Sequence, residues 1–503
     1  MAGGPPMGFG DGPAPLKGAK LALGGFALAL SNFVVLLDIT IANVSVPHIA
    51  GSLAVSPTQG TWVLTSYAVA EAICVPLTGW LARTFGAVRV FIMALLGFGL
   101  FSMLCGMAGS LSLLIAFRVC QGLCGGPIMP MTQTLLLRIF PKDKGGAALG
   151  LWAMTVVVAP IAGPICGGFI SDNWSWHWLF FINIPLAAFS LIVAWRLVRP
   201  YETPTQKSPI DFVGLALLVI WVGSLQIMLD KGREEDWFSS GFIITLTVVA
   251  IIGFISFLIW ELTEDHPIID LSVFRNRGFT VAVVTQCVAY AAFFSFIVLI
   301  PLFLQTNLNY TATWAGLAVG WVGVLAVVFS PIVARFVGKV DTRGLISFGI
   351  LWLAVVAWLR TRWVTDMGYW TIAFPQMLQG LGMPFFFVGS TALAMASVRP
   401  DQTASGAGIQ NFMRTMAGAF ATSMSTTLWE HFTKYNRAEL VGLIHPPTHT
   451  GLPAAQASMM LSQLVQTEAV TLATRQVFMV CTIVLFVSAG MIWLAPKPGR
   501  KKG

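Results

Sequence analysis

Three ionisable side chains interrupt apolar runs early in this chain: Asp38, Glu71 and Arg118. Charge in hydrocarbon is costly, so such residues mark a proton, ion or substrate pathway. Asp38 stands 18 residues beyond Lys20, roughly 27 Å of helix at 1.5 Å per residue, in the middle or outer half of a membrane. A carboxylate there can bind and release a proton as its surroundings change, which a proton-coupled exchanger requires. The other reading of Asp38 is a hydrogen-bond anchor between helices. Glu71 lies near the middle of its run; it is either a second proton site or cation selector, or half of a structural pair. Arg118 cannot lose its proton, so it can hold an acid charged in one conformation and release it in another. Arg414, in Gln410-Asn411-Phe412-Met413-Arg414, either faces the same cavity or lies near the cytoplasmic mouth. No activated nucleophile, metal cluster or cofactor loop is visible; the expectation is a protein that is not an enzyme and carries no cofactor.

The elements that position these groups follow from composition. The chain has 503 residues, 56% hydrophobic and only 10% charged, a balance found in polytopic membrane proteins rather than soluble domains. Segments of about 20 apolar residues fall at 20–46, 60–82, 88–108, 112–138, 145–170, 176–198, 210–229, 241–261, 279–304, 313–336, 344–361, 369–396, 404–429 and 475–496. Fourteen crossings with both termini cytoplasmic place 20 of the 29 Lys and Arg inside and seven outside, Lys231 and Arg360 among the seven. That asymmetry fits the positive-inside rule and accounts for the net charge of +8 without nucleic acid. Residues 1–19 read as a cytoplasmic tail. The seven cysteines read as small packing residues, and His445 and His449 share an outer loop without a metal-binding pattern.

Repetition organises the spans. Arg118-Val-Cys-Gln121-Gly122-Leu123 returns 258 positions later as Gln376-Met-Leu-Gln379-Gly380-Leu381, and Thr61-Trp62 returns as Thr313-Trp314. Duplication of a six-helix unit gives halves at 20–200 and 275–503, with two extra helices and their linkers at 201–274. Because Gln376 replaces Arg118 in the second copy, the charge is expected in one half only. Two six-span halves about an axis normal to the membrane describe the major facilitator architecture, with its site between them. The fold class expected is an all-α membrane protein of that type.

Leu37-Asp38-Ile39-Thr40-Ile41-Ala42-Asn43-Val44-Ser45-Val46-Pro47 resembles the signature of fourteen-helix drug:proton antiporters. Arg118 with Gln121 and Gly122 resembles that superfamily's fourth-helix motif, and Ala159-Pro160-Ile161-Ala162-Gly163-Pro164-Ile165-Cys166-Gly167-Gly168 its antiporter motif. Gly60-Thr61-Trp62-Val63, Trp176-His177-Trp178, Phe180-Phe181-Ile182-Asn183-Ile184-Pro185, Gly223 to Asp230 and Asp236 to Ser240 add to the pattern. Together they resemble the EmrB subfamily of the EmrB/QacA drug:proton antiporters. The resemblance implies an inner-membrane exporter of hydrophobic toxic compounds, driven by protons. It also implies a periplasmic membrane-fusion adaptor of the EmrA kind, met by the outer segment 430–474, and an outer-membrane channel of the TolC kind. Membrane lipids are the remaining partner.

Asp38, Arg118 and Glu71 are thus the expected proton-coupling residues, and Asp38, Glu71, Gln121, Gln286, Tyr290, Phe294, Gln379, Asn411 and Arg414 the expected substrate site, with Gln305 nearby. Such pockets are mainly apolar and aromatic with few polar groups, although aromatic residues on membrane helices also serve packing and lipid contact. Gly163, Pro164, Gly167 and Gly168 supply a close, bent helix contact for gating. Gly79, Arg83 and Gly86 mark a loop in which Arg83 stands where the superfamily carries Asp, so the usual charge latch there is in doubt. The alternative function is a proton-linked carrier for a specific metabolite or fatty acid.

Overall fold

The structure, a computed structural model, describes residues 13–141, 144–206, 209–337, 339–443 and 454–497. Among them every regular element is helical. In chain order the main helices are α1 (Gly18–Ser52), α2 (Trp62–Cys74), α3 (Thr78–Phe85), α4 (Ala87–Gly106), α5 (Leu111–Gly125), α6 (Ile128–Ile139), α7 (Gly145–Asn173) and α8 (Asn183–Val193). There follow α9 (Phe212–Lys231), α10 (Gly241–Thr263), α11 (Arg277–Thr306), α12 (Ala312–Gly320), α13 (Val322–Phe336), α14 (Thr342–Arg360), α15 (Tyr369–Ala396), α16 (Thr403–Leu443) and α17 (Ala454–Met491). Helices dominate because hydrocarbon offers no partner for backbone amides, and a helix satisfies them within one segment. Side chains close several ends: Ser110, Asp211 and Asn276 accept from the amides of Leu113, Gly214 and Gly278, donors that the helices themselves leave open.

Eleven described helical stretches are long and apolar enough to cross a membrane, or up to thirteen if two bent pairs each count once. The first pair, α2 with α3, turns by 57° across a break containing Pro76. The second turns by 41° within α7 between Pro160 and Ile165. Both bends fall where proline removes a backbone donor. The expected segment 404–429 is helical within α16 but is not among those stretches. Gln410, Asn411, Arg414 and many Ser and Thr lower its hydropathy, and it is largely buried among other helices.

The expected outer loop at 430–474 is mostly helix, because α16 runs on to Leu443 and α17 begins at Ala454. Trp429 donates to Thr474 (2.8 Å) and Asn436 to Gln476 (3.0 Å), tying the two extensions together. His445 and His449 lie outside the described residues. The extra pair α9 and α10 is packed into the body: Asp230 accepts from Thr65 of α2, Trp221 meets Phe412 edge-on at 5.9 Å, and Ser423 donates to the Leu229 carbonyl. Lys231, expected in an outer loop, is 5% exposed and bonds Thr61 and Glu234.

Small residues set the closest helix approaches. Gly163 lies against Thr40 and Gly167 against Ile41, so α7 runs along α1 with no room for a Cβ at either position. The two halves meet at both ends of the bundle: Gly79 against Ser405 and Gly146 against Ala334 at one end, Gly316 against Ile165 at the other. At the first end Gly86, with φ of +94°, turns the chain from α3 into α4. Glu202 then accepts from the amides of Val88 (2.9 Å) and Arg89 (3.0 Å), so the acid at this junction comes from beyond the sixth span; Gly79 and Arg83, expected in a loop, lie within α3. Glu202→Ala leaves those donors open, and a thermal melt should show a loss of about 1 kcal/mol. An unchanged melt refutes the capping role.

Candidate functional site

The polar side chains buried in the apolar bundle form three groups. In the first, Asp38 of α1 and Arg118 of α5 are fully buried and joined by a bond of 2.5 Å from Nη1 to Oδ2. Gln121, one turn after Arg118, donates to Asp38 Oδ1 (3.1 Å) and accepts from Arg118 (2.9 Å). Asn183 of α8 also donates to Oδ1 (2.7 Å) and to Ser102 of α4 (3.1 Å). Arg118 Nε donates to the Val63 carbonyl, and its guanidinium lies 4.1 Å from the Tyr67 ring and 5.6 Å from that of Phe180. Each carboxylate oxygen therefore has a donor, which a buried ion pair needs to survive loss of water. Gly122 matters here because it lets α5 press against the Tyr67 carbonyl. The Asp38 carboxylate thus joins α1 to α5 and α8, with α2 and α4 tied in through Arg118 and Asn183.

The second group lies between the halves. Gln133 of α6 donates to Gln410 (3.1 Å) and accepts from Asn411 (3.0 Å), both on α16; Gln410 continues to Gln286 (2.6 Å) and Thr391 (3.2 Å). Arg414, one turn further, is 3% exposed and sits over Trp152 (4.9 Å) and Tyr290 (5.9 Å). Tyr290 packs on Phe294 at 5.4 Å. Glu71 of α2 is buried, 4% exposed. Gln286, Tyr290, Phe294, Asn411 and Arg414 thus share one inter-half region, and Arg414 lies in the packed interior. Buried here without a hydrogen-bond partner among the described residues are Arg414 Nη1, Asn411 Oδ1 and Gln286 Nε2. Gln133→Leu removes two bonds across the halves and strands their partners, so a melt should drop by about 2 kcal/mol. A shift near zero would show that these amides do not couple the halves.

The third group corrects two expectations. Arg360, expected outside the membrane, is fully buried at the end of α14, where it donates to Gln376 (2.9 Å) and to Gln379. A buried guanidinium therefore stands in each half, and Gln379 bonds Arg360 rather than joining the group of Gln133, Gln410 and Asn411. Gln121 belongs to Asp38, and Gln305 is exposed, bonded to the Pro301 carbonyl. The side chain of Pro164 lies outside the described residues; Gly168 is buried on α7.

Sequence reasoning quoted Asn183 without a role and passed over Ser102 and Gln133. The available signal was a polar side chain in an otherwise apolar stretch. Arg360 was hidden by its place at a segment end, where snorkelling to the surface is the ordinary outcome.

The Major Facilitator Superfamily model matches residues 28–422 and 282–503. The multidrug export protein EmrB of Escherichia coli is 43% identical over 496 residues, covering 96% of this chain and 97% of that protein. The fatty acid resistance protein FarB of Neisseria gonorrhoeae is 41% identical over 500 residues, covering 97% and 99%. Among solved structures, the proton:xylose symporter XylE bound to 6-bromo-6-deoxy-D-glucose aligns with a TM-score of 0.59 at 13% identity, covering 95% and 96%, a likeness of fold. The chain belongs to the Major Facilitator Superfamily and, within it, to the family of the EmrB multidrug export proteins.

Proposed function

We propose that the protein is a proton-driven exporter of hydrophobic and amphiphilic toxic compounds in a bacterial inner membrane, with fourteen crossings and both termini cytoplasmic. The observation that carries the reading is the sealed Asp38–Arg118 pair, which a proton on Asp38 would break. Asp38, Arg118 and Glu71 carry the proton coupling, while Gln286, Tyr290, Phe294, Asn411 and Arg414 form the substrate region between the halves. The bent, glycine-lined contact of α7 with α1, through Gly163, Gly167 and the expected Pro164 and Gly168, serves as the gate. The name and 43% identity of the Escherichia coli relative support drug export. A periplasmic adaptor and an outer-membrane channel complete the route; large apolar side chains exposed on the outer extensions, Tyr435, Val441, Met459 and Leu464, supply a surface for the adaptor. FarB gives one observation for a second reading, in which the cargo is a fatty acid.

Proteoliposomes with an imposed pH gradient test the proposal. A fluorescent hydrophobic drug should accumulate with the gradient, stop when an ionophore collapses it, and respond to Glu71→Gln by altered substrate or proton dependence. Accumulation indifferent to the gradient refutes proton coupling.

A further inference from the structure

The displacement that relates the fourth segment to the twelfth also relates their surroundings. Arg118 and Gln376 stand 258 positions apart, as do Gln121 and Gln379; the same step carries Asp38 to Phe296 and Ser102 to Arg360. These positions meet again in the second half, where Arg360 binds Gln376 and Gln379 and lies 5.0 Å from the Phe296 ring. In the first half the guanidinium stands on the fourth segment and a carboxylate answers it; in the second it stands at the position of Ser102, and the carboxylate's position holds a phenyl ring.

Arg360 is fully buried, and its Nε and Nη1 have no hydrogen-bond partner among the described residues. The same holds for Gln376 Nε2. All three are donors, and Arg360 cannot shed its charge. A buried cation without a counterion is costly, so a structure that keeps one leaves a place where an anion is strongly stabilised. Phe296, Gln376 and Gln379 also form one wall of a small cavity, closed by Phe293, Met383 and, from the first half, Pro160 of α7. The rest of its lining is aliphatic. The cavity has room for about one water molecule, and Arg360 is not itself part of the lining but bonds Gln376 and Gln379, which are.

We propose that this cavity is an anion subsite for a free amphiphilic carboxylate of the fatty-acid class, whose head group supplies to Arg360 and Gln376 the acid that Phe296 cannot, while its chain follows the apolar wall. A single cation in apolar surroundings selects a monoanion with a hydrocarbon tail over a hydrated polyanion. The inference rests on the exporter reading for its physiological sense, but binding at Arg360 needs no proton gradient.

The test is equilibrium binding of radiolabelled laurate and methyl laurate to the full chain in nanodiscs of zwitterionic lipid, without a gradient. Laurate should bind the unaltered protein about tenfold more tightly than its ester. Arg360→Gln should erase that preference while sparing the ester, Arg360→Lys should keep part of it, and Phe296→Asp, which places an internal carboxylate beside Arg360, should abolish it independently. An unaltered protein that does not distinguish acid from ester overturns the proposal, as does a preference that survives Arg360→Gln. Displacement of laurate by phosphatidylglycerol also overturns it, by giving the subsite to a lipid head group. Failure of gradient-driven drug uptake with acid preference intact would instead sink only the exporter reading.

Discussion

Asp38→Asn is expected to reduce gradient-driven drug uptake in proteoliposomes to the level seen without a gradient. The substitution nearly preserves shape but keeps one oxygen where the carboxylate offers two, Oδ2 to Arg118 and Oδ1 to Gln121 and Asn183, so its NH2 must face one of these donors. It also leaves the Arg118 guanidinium buried without a counterion, and removing one member of a buried pair costs about 3–5 kcal/mol. The Tyr67 ring at 4.1 Å and the Val63 carbonyl offset part of that, so a melt should fall by about 3 kcal/mol. Transport should therefore be measured at a temperature where the variant stays folded. Normal gradient-driven uptake by a folded Asp38→Asn protein would remove Asp38 from the coupling mechanism.

Arg118→Gln is expected to abolish coupling as completely while costing less stability. The asymmetry arises because a stranded carboxylate can neutralise itself by binding a proton, whereas a stranded guanidinium cannot. Asp38 also keeps Gln121 and Asn183 as donors when Arg118 is gone. In the Asp38→Asn/Arg118→Gln double variant no charge remains to be compensated, so its stability should exceed that of Asp38→Asn alone, and a double-mutant cycle should return an interaction of about 1–3 kcal/mol. Additive losses would mean that the two residues do not act as a pair, despite their 2.5 Å contact. Uptake in the double variant should remain absent, since restored packing does not restore a titrating group.

Much of this arrangement is legible in the residues themselves. Long apolar stretches specify membrane helices because the bilayer leaves the backbone no other way to satisfy its polar groups. Asp38 and Arg118 stand out for the related reason that hydrocarbon tolerates charge only with a purpose. The duplicated motif at Gln121 and Gln379 points to two related halves. The segment 404–429 reads as a span by its length, yet its helix is not among the most apolar stretches, since a helix enclosed by others need not be apolar along its length. The outer segment 430–474 reads as a polar loop from composition, yet its polar side chains pair across two helical extensions, as Asn436 does with Gln476.

The sequence by itself thus determined the class of fold, the repeat and the identity of the first-half charges, because solvation energy depends on residue type and segment length alone. Only the tertiary structure decided which polar residues share a site. Asn183, 145 positions from Asp38, reaches its carboxylate; Gln133 bridges to Gln410 and Asn411 of the other half; and Arg360, at a segment end like any snorkelling arginine, turns inward to Gln376 and Gln379. A helix presents about a third of its residues to any one neighbour. The face each helix offers is fixed by packing against all the others, here by the glycines that let α7 lie on α1 and α5 on α2.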